Sequence, residues 1–332
     1  MANVINRISL IIVTYLGDDV LTDCLDSLVK VYKELPETIV VDNANSKSTA
    51  DLVRRYPNTR YLSLPENRGF AGGNNAALPY CTKEYLVLLN NDTELQGDSI
   101  SPLIDFLDQH PQAAAVQGKV VLASNHRLDG CGGFFSPLGI LAFRGAFVPD
   151  GPEYDVPEKV LTIGGAFFAT RRAALAECGG LFYDHFKSYY EEIDYCHRLT
   201  LSGHDCWYVP TIPVLHRHSV TSNKFKRVEI LRRYYRNIWF SFLTCLEPFY
   251  LVRFCTQLAI LSAGQSFVNL LKGRAGILKC HCQALSMVIK DRKMILDTRR
   301  HLKSLRKRSD RDLMKFAIRS QPWSYYRKML SS

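Results

Sequence analysis

The run Tyr85-Leu86-Val87-Leu88-Leu89-Asn90-Asn91-Asp92 constrains this chain more than any other stretch. Its apolar part is strand length and stops abruptly in two amides and a carboxylate. A bounded apolar run this short reads as a strand buried on both faces, the kind that parallel sheets use. In open α/β sheets ligands bind just beyond the carboxyl ends of such strands. Asp92 therefore stands where a metal or a diphosphate is held. A strand-ending turn, which favours Asn and Asp for local hydrogen bonds, explains the same residues equally well.

The surrounding pattern supports a sheet. Ile8–Val13, Thr38–Val41 and Arg60–Leu64 are further apolar runs of strand length. Between them residues 18–34, Ser48–Tyr56 and Phe70–Leu78 read as helices, and Ser101–Gln109 follows the fourth strand. Strand and helix alternating at this interval predict βα units on a parallel sheet. From about residue 113 short, glycine-punctuated segments take over: Val116–Leu122, Phe134–Phe135, Gly139–Phe147, and Val160–Ala169 read as a strand containing Gly164-Gly165. Arg171–Glu177 and Ile193–Ser202 read as helices and Trp207–Val209 as a late strand, which closes a first domain, residues 1–223, with halves 1–112 and 113–223. Residues 224–332 are mostly helical: Arg227–Leu246 is aromatic and basic, and Phe249–Leu271 is apolar but interrupted by Arg253, Gln257 and Gln265. Those interruptions favour a helix buried in the protein or lying in a membrane interface over one that spans.

Charge divides the chain at the same place. Residues 224–332 hold 24 Lys and Arg against 6 Asp and Glu, whereas the whole chain holds 42 and 32, so the first domain is net acidic. A basic region of this strength, with residues 299–308 as its densest cluster, suits an anionic membrane surface or nucleic acid. The aromatics beside it, Tyr234, Tyr235, Trp239 and Phe240, fit helix packing better than base stacking, which argues against nucleic acid. Residues 1–13 lack the basic start and long apolar stretch of a secretory signal, and the ten scattered cysteines include no CxxC pair. Cys280-His281-Cys282 is too tight for a usual zinc site, and reduced thiols in a cytoplasmic protein are the simplest expectation.

Five polar constellations follow the strands or enter helices. Asp42 ends a strand and can accept hydrogen bonds from a nucleotide base, or cap the next turn. The loop Asn67-Arg68-Gly69-Phe70-Ala71-Gly72-Gly73-Asn74-Asn75 leads into a helix whose amino end and Arg68 can attract phosphate, although it has neither P-loop nor dinucleotide spacing. Asp92 is the third. Glu191-Glu192-Ile193-Asp194 sets three acids within four residues, which in a cleft raises a pKa to suit a general base and at a helix start merely complements the dipole. Asp194 can also pair with Arg198 one turn on. His216, followed by His218, is a candidate metal or phosphate ligand.

In this order the residues resemble the inverting GT-A glycosyltransferases of the family 2 type, in particular the bacterial rhamnosyltransferase-like branch that builds surface polysaccharides. The resemblance runs from about Ile8 to Asn237 and rests on Ile11-Ile12-Val13-Thr14-Tyr15, Val40-Val41-Asp42-Asn43, the 67–75 loop, Leu89-Asn90-Asn91-Asp92, Gly164-Gly165-Ala166, the 191–194 acids, His216 and Tyr234-Tyr235-Arg236-Asn237. It implies a Rossmann-like, mostly parallel α/β sheet of the GT-A nucleotide-diphospho-sugar transferase kind with a helical C-terminal extension. It implies that Thr14, Tyr15, Asp42, Asn67, Arg68, Gly69, Asn75, Asn90 and Asn91 shape the nucleotide-sugar site. Asp92 matches the last acid of the family's DxD motif and, with His216, would hold a divalent cation, Mg²⁺ or Mn²⁺. Glu192 matches the base, with Glu191 and Asp194 beside it, and Gly164 and Gly165 would leave room for the acceptor. The implied partners are a dTDP- or UDP-type sugar donor, a glycan or lipid-linked acceptor and an anionic membrane, on whose cytoplasmic face the protein would sit peripherally. Two positions depart from the pattern: Asn90 replaces the first DxD acid, and Glu192 replaces the usual Asp.

Overall fold

The computed structural model describes residues 2–217 and 227–322. Ile8–Thr14, Glu37–Asp42 and Thr59–Ser63 lie side by side and parallel, followed in turn by the helices Asp18–Tyr32, Lys47–Val53 and Gly69–Ala77. The chain then crosses back, and Tyr85–Asn90 pairs in parallel with the other edge of Ile8–Thr14. Strand order reverses between Thr14 and Asn90, and at such a reversal the two flanking connections leave on opposite faces and open a crevice. Phe167–Arg171 runs antiparallel between Tyr85–Asn90 and Ala113–Gln117, and Asp205–Tyr208 and Glu158–Val160 complete a mixed sheet of eight strands.

Alternate side chains of a strand go to opposite faces. Ile8, Leu10 and Ile12 pack with Leu21, Leu25 and Leu103 on one side; Ile11 packs with Ile39, Leu88 and Phe168 on the other. Both faces are covered by helices, which is why the strands read as unbroken apolar runs.

Three readings from sequence change. Val160–Ala169 is two elements, Glu158–Val160 and Phe167–Arg171, with Gly164-Gly165 in the turn between them. Val116–Leu122 splits into Ala113–Gln117 and Val120–Leu122 at Gly118, where an added Cβ would lie 2.3 Å from the Phe167 ring. The helix after the strained turn at Tyr190 starts at Glu191, so the acids form its first turn.

A small second sheet joins Thr93–Leu95, Val214–His216 and Val120–Leu122. Its register sets His216 opposite Thr93 on one side and Leu122 on the other. This pairing carries His216 to Asp92 across more than a hundred residues of chain.

Helices Arg227–Cys245, Pro248–Leu271, Gly276–Lys290, Arg292–Leu305 and Asp310–Ala317 form the C-terminal region. Phe240 is fully buried against Tyr183, His185 and Phe186 of the first domain. The 299–308 cluster turns inward: Arg299 donates to the Leu243 carbonyl, Arg306 to that of Cys245, and Arg308 to Asp205 and the carbonyls of Gly203 and His204. The boundary near residue 223 and His218 lie outside the described residues.

Candidate active site

A cavity of about 690 Å³ opens beyond the strand ends at the reversal. Thr14 and Tyr15 line it from the first strand, Asn90, Asn91 and Asp92 from the fourth, and Asn67 and Gly69 from the helix entry. Gly164 and Gly165, Glu191 and Glu192, and His216 close the far side. Thr14 is buried and accepts a hydrogen bond from Asn91 Nδ2 at 3.0 Å, which ties the two strand ends together.

Asp92 is 6% exposed, and its Oδ1 lies 3.3 Å from His216 Nε2. The other ring nitrogen, Nδ1, meets Asp129 Oδ2 at 2.8 Å. Burial alone would lower the His216 pKa, but the two carboxylates outweigh it and raise it to about 9. The same arrangement suits a divalent cation. Without a metal both ring nitrogens carry protons; a cation would displace the Nε2 proton while Nδ1–H stays donated to Asp129, the carboxylate–histidine pairing that orients metal-binding imidazoles. Among the described residues no group of three His, Cys, Asp or Glu forms a complete cage. Asp92 and His216 thus fit an ion that takes its remaining ligands from a diphosphate and water, as Mg²⁺ and Mn²⁺ do.

The opposite wall is a strained turn. Lys187, Tyr189 and Tyr190 all have positive φ (58°, 73° and 79°) without being glycine, a conformation that costs about 1 kcal/mol or more per residue. Asn237, buried on helix Arg227–Cys245, holds it: its Nδ2 lies 3.1, 3.4 and 2.7 Å from the carbonyls of Phe186, Ser188 and Tyr189. The turn also crosses the entry of helix Gly69–Ala77, where Ala71 N donates to the Lys187 carbonyl and Phe70 N to Ser188 Oγ. Gly69 is required there: its φ is +73°, and a Cβ would come within 2.3 Å of the Lys187 oxygen.

Out of this turn come the acids. Glu191 is 5% exposed, and its Oε2 has no hydrogen-bond partner. Glu192 is half-buried; a Cβ on Gly165 would lie 3.6 Å from its carboxyl group. Burial raises both carboxyls, with the Glu192 charge adding to the effect at Glu191; Glu192 is pushed up to about 7.

Four expected site residues lie elsewhere. Asp42 is fully buried and accepts from Ala44 N, Ser46 N and Tyr61 Oη, so it caps its own turn while its neighbour Asn43 lines the cavity. Arg68 pairs with Asp184, and Asn75 bonds the Phe182 carbonyl and Asp184; both fasten the helix to the 182–184 loop. Asp194 is buried in an ion pair with Arg198 at 2.7 Å, away from the cavity, as its one-turn spacing allowed. The amino end of helix Gly69–Ala77 is likewise taken, its first N–H groups accepted by Asn67, Ser188 and Lys187.

Sequence reasoning missed Asp129, Gln117, Lys187 and Arg233, all of which line the cavity. Asp129 lies in a glycine-rich stretch that reads as turn. Gln117 is buried and binds two segments at once, donating to the Gly130 carbonyl at 2.5 Å and accepting from Gly132 N and Gly164 N.

Fold and cavity together define the GT-A class. The family model described as "Glycosyl transferase family 2" matches residues 9–130, and that described as "Glycosyl transferase family group 2" matches residues 85–296. The chain belongs to the family 2 glycosyl transferases. A poly-beta-1,6-N-acetyl-D-glucosamine synthase of Staphylococcus epidermidis is 21% identical over 178 residues, 53% of this chain and 42% of that protein. Its counterpart from Staphylococcus aureus strain MSSA476 is 22% identical over 175 residues, 52% of this chain and 41% of that one. The match thus spans less than half the length of these curated relatives. Among solved structures, S. aureus TarS 1-349 in complex with UDP-GlcNAc superposes with a TM-score of 0.56 at 17% identity, over 90% of both chains. The mannosyltransferase PcManGT from Pyrobaculum calidifontis, in complex with GDP-Man and Mn2+, gives 0.51 at 16%, over 90% of this chain and 85% of that one. At these identities the likeness is one of fold.

Proposed function

We propose that the chain is an inverting glycosyltransferase that moves a sugar from a nucleoside-diphosphate donor to an acceptor hydroxyl in cell-surface glycan synthesis. The observation that carries this reading is that Asp92 and Glu192 line one cavity, at the strand-order reversal of a family 2 fold. The nucleotide half is residues 1–112 and the acceptor half residues 113–223, followed by the helical region. The donor diphosphate lies toward Asp92 and His216, and the acceptor enters past Gly164 and Gly165. A bound divalent cation would offset the charge that develops on the departing diphosphate.

Glu192 takes the proton of the acceptor hydroxyl. The acceptor oxygen bonds to the anomeric carbon as the bond from that carbon to the diphosphate oxygen breaks. The electron pair leaves with the nucleoside diphosphate, and the anomeric configuration inverts. A raised pKa suits Glu192 to this exchange because a base is most effective near the working pH. Rhamnose from dTDP is the first donor to test, on the branch resemblance; the named neighbours bind UDP-GlcNAc and GDP-Man, which puts UDP and GDP sugars next. The acceptor is a lipid-linked or polysaccharide glycan at the inner face of the cytoplasmic membrane, where the protein sits peripherally.

The test is a thermal-shift panel of sugar nucleotides with and without Mn²⁺, followed by transfer assays with the donor that binds. Stabilisation by one donor, and turnover that a chelator removes, are expected. Donor binding with no turnover on any glycan acceptor would leave a sugar-nucleotide-binding protein, the reading that Asn90 in place of an acid favours.

A further inference from the structure

The helical region carries a face that the cavity does not use. Helix Pro248–Leu271 packs onto the protein through Phe254, Ser266 and Asn269, and Arg253 and Gln257 both bond the Pro137 carbonyl. On its other side Phe249, Val252, Ile260, Phe267 and Leu271 are each more than 60% exposed. Their spacing puts them in one stripe along about 33 Å of helix. Helix Gly276–Lys290 adds Leu278, Leu285 and Ile289, all exposed.

Charge says what covers this face. From Pro248 to Lys290 the chain has no Asp or Glu, and its cations are Arg253, Lys272, Arg274, Lys279 and Lys290. Lys272, Arg274 and Lys279 are exposed around the turn that joins the two helices. The same face of a second copy of the chain would offer no acid to these cations, whereas an anionic lipid surface complements both the cations and the apolar stripe. The 299–308 cluster, the densest basic stretch in the sequence, is largely engaged within the protein. The helix is long and apolar enough to cross a membrane, but Phe254 and Arg253 hold one side of it to the protein, which leaves only its outer stripe to face lipid.

We infer that helix Pro248–Leu271 lies in the plane of an anionic bilayer, with Phe249, Val252, Ile260, Phe267 and Leu271 at the acyl boundary and Lys272, Arg274 and Lys279 among the headgroups. This rests on the membrane-peripheral reading above and assigns the contact to one helix and its turn. Resting on two sides of a single turn, the contact combines buried apolar area with electrostatic attraction, the two terms that set interfacial helix affinity.

Co-sedimentation of the full chain tests it, using vesicles of phosphatidylcholine with and without one-third phosphatidylglycerol. Wild type binds the mixed vesicles and binds pure phosphatidylcholine weakly. The double variant Phe267→Ser with Leu271→Ser loses at least about tenfold in vesicle affinity while its nucleotide binding stays at the wild-type level. Arg300→Glu with Lys303→Glu, at exposed positions of the other cluster, leaves vesicle binding within about twofold. A stripe variant that binds as wild type does, or loss through the 300/303 variant instead, overturns the assignment and leaves the membrane reading standing. A free protein that is dimeric in solution and becomes monomeric in the stripe variant overturns it in favour of a chain–chain interface. Wild type that ignores anionic vesicles removes the membrane reading itself.

Discussion

Glu192 sits against Gly165 in a cleft that holds its proton near neutrality. A general base works in its deprotonated form, so raising its pKa moves the acid limb of activity upward. Transfer at saturating donor should fall as pH drops through about 7, whereas an ordinary glutamate would keep it active to about 4.5. Initial rates from pH 5 to 9 check this, and a limb that stays near 4.5 assigns the base elsewhere. Glu192→Gln should lower transfer by about 10² to 10⁴ and leave donor affinity unchanged by calorimetry. Asp129 acts one bond further out, through His216 Nδ1. Asp129→Asn should weaken Mn²⁺ binding in the presence of a nucleoside diphosphate by about 10- to 100-fold, since such partners orient the imidazole that faces the ion. Electron paramagnetic titration of Mn²⁺ reads this without turnover, and an unchanged affinity would remove Asp129 from the site.

At the scale of elements, the turn from Phe186 to Tyr190 decides where the acids point. Three of its residues are in the left-handed region, and Asn237 reaches three of its carbonyls from a helix that begins at Arg227. Asn237→Ala should cost about 1 to 3 kcal/mol in urea unfolding, because buried carbonyls lose their donor. The same variant should speed amide exchange in residues 186–192 and lower kcat more than it raises donor KM. Loss of stability with protected amides and unchanged kcat would make Asn237 a packing residue only. Legibility in the sequence followed range. The first four strands and their helices were readable because each rests on local periodicity, and Asp92 and Glu192 were readable as acids at element ends. Asp129 was not, because its meeting with His216 depends on the parallel pairing of Val214–His216 with Val120–Leu122, a register no local pattern encodes. Gly164-Gly165 read as strand because the flanking apolar residues hide a turn, and Asp42 read either as a nucleotide contact or as a turn cap because a strand-end carboxylate looks the same whether it faces a ligand or its own backbone.

Over the whole molecule, charge composition suggested two bodies and the packing joins them. Phe240 belongs to the same apolar cluster as Leu88 and Phe168 of the central sheet, and Ile295 joins it from a helix further on. Asn237 and Arg308 add polar ties to the first domain, at the strained turn and at Asp205. Glu247 N donates to the Asp310 carboxylate at 2.5 Å and Asp310 N to the Glu247 carboxylate at 2.7 Å, which locks the second helix to the last. A chain cut after residue 217 would expose the Phe186 surface that Phe240 covers and leave the turn carrying Glu191 and Glu192 without Asn237. We expect that truncated chain to bind a hydrophobic dye and to lose donor binding. The full chain should unfold in one cooperative transition in which near-ultraviolet and far-ultraviolet circular dichroism coincide, the signature of a core shared by both parts. Two separated transitions, or a truncated chain that keeps native near-ultraviolet dichroism and binds donor, would show that the sheet domain folds and builds its nucleotide site alone. The helical region would then serve the acceptor and the membrane without helping to build the donor site.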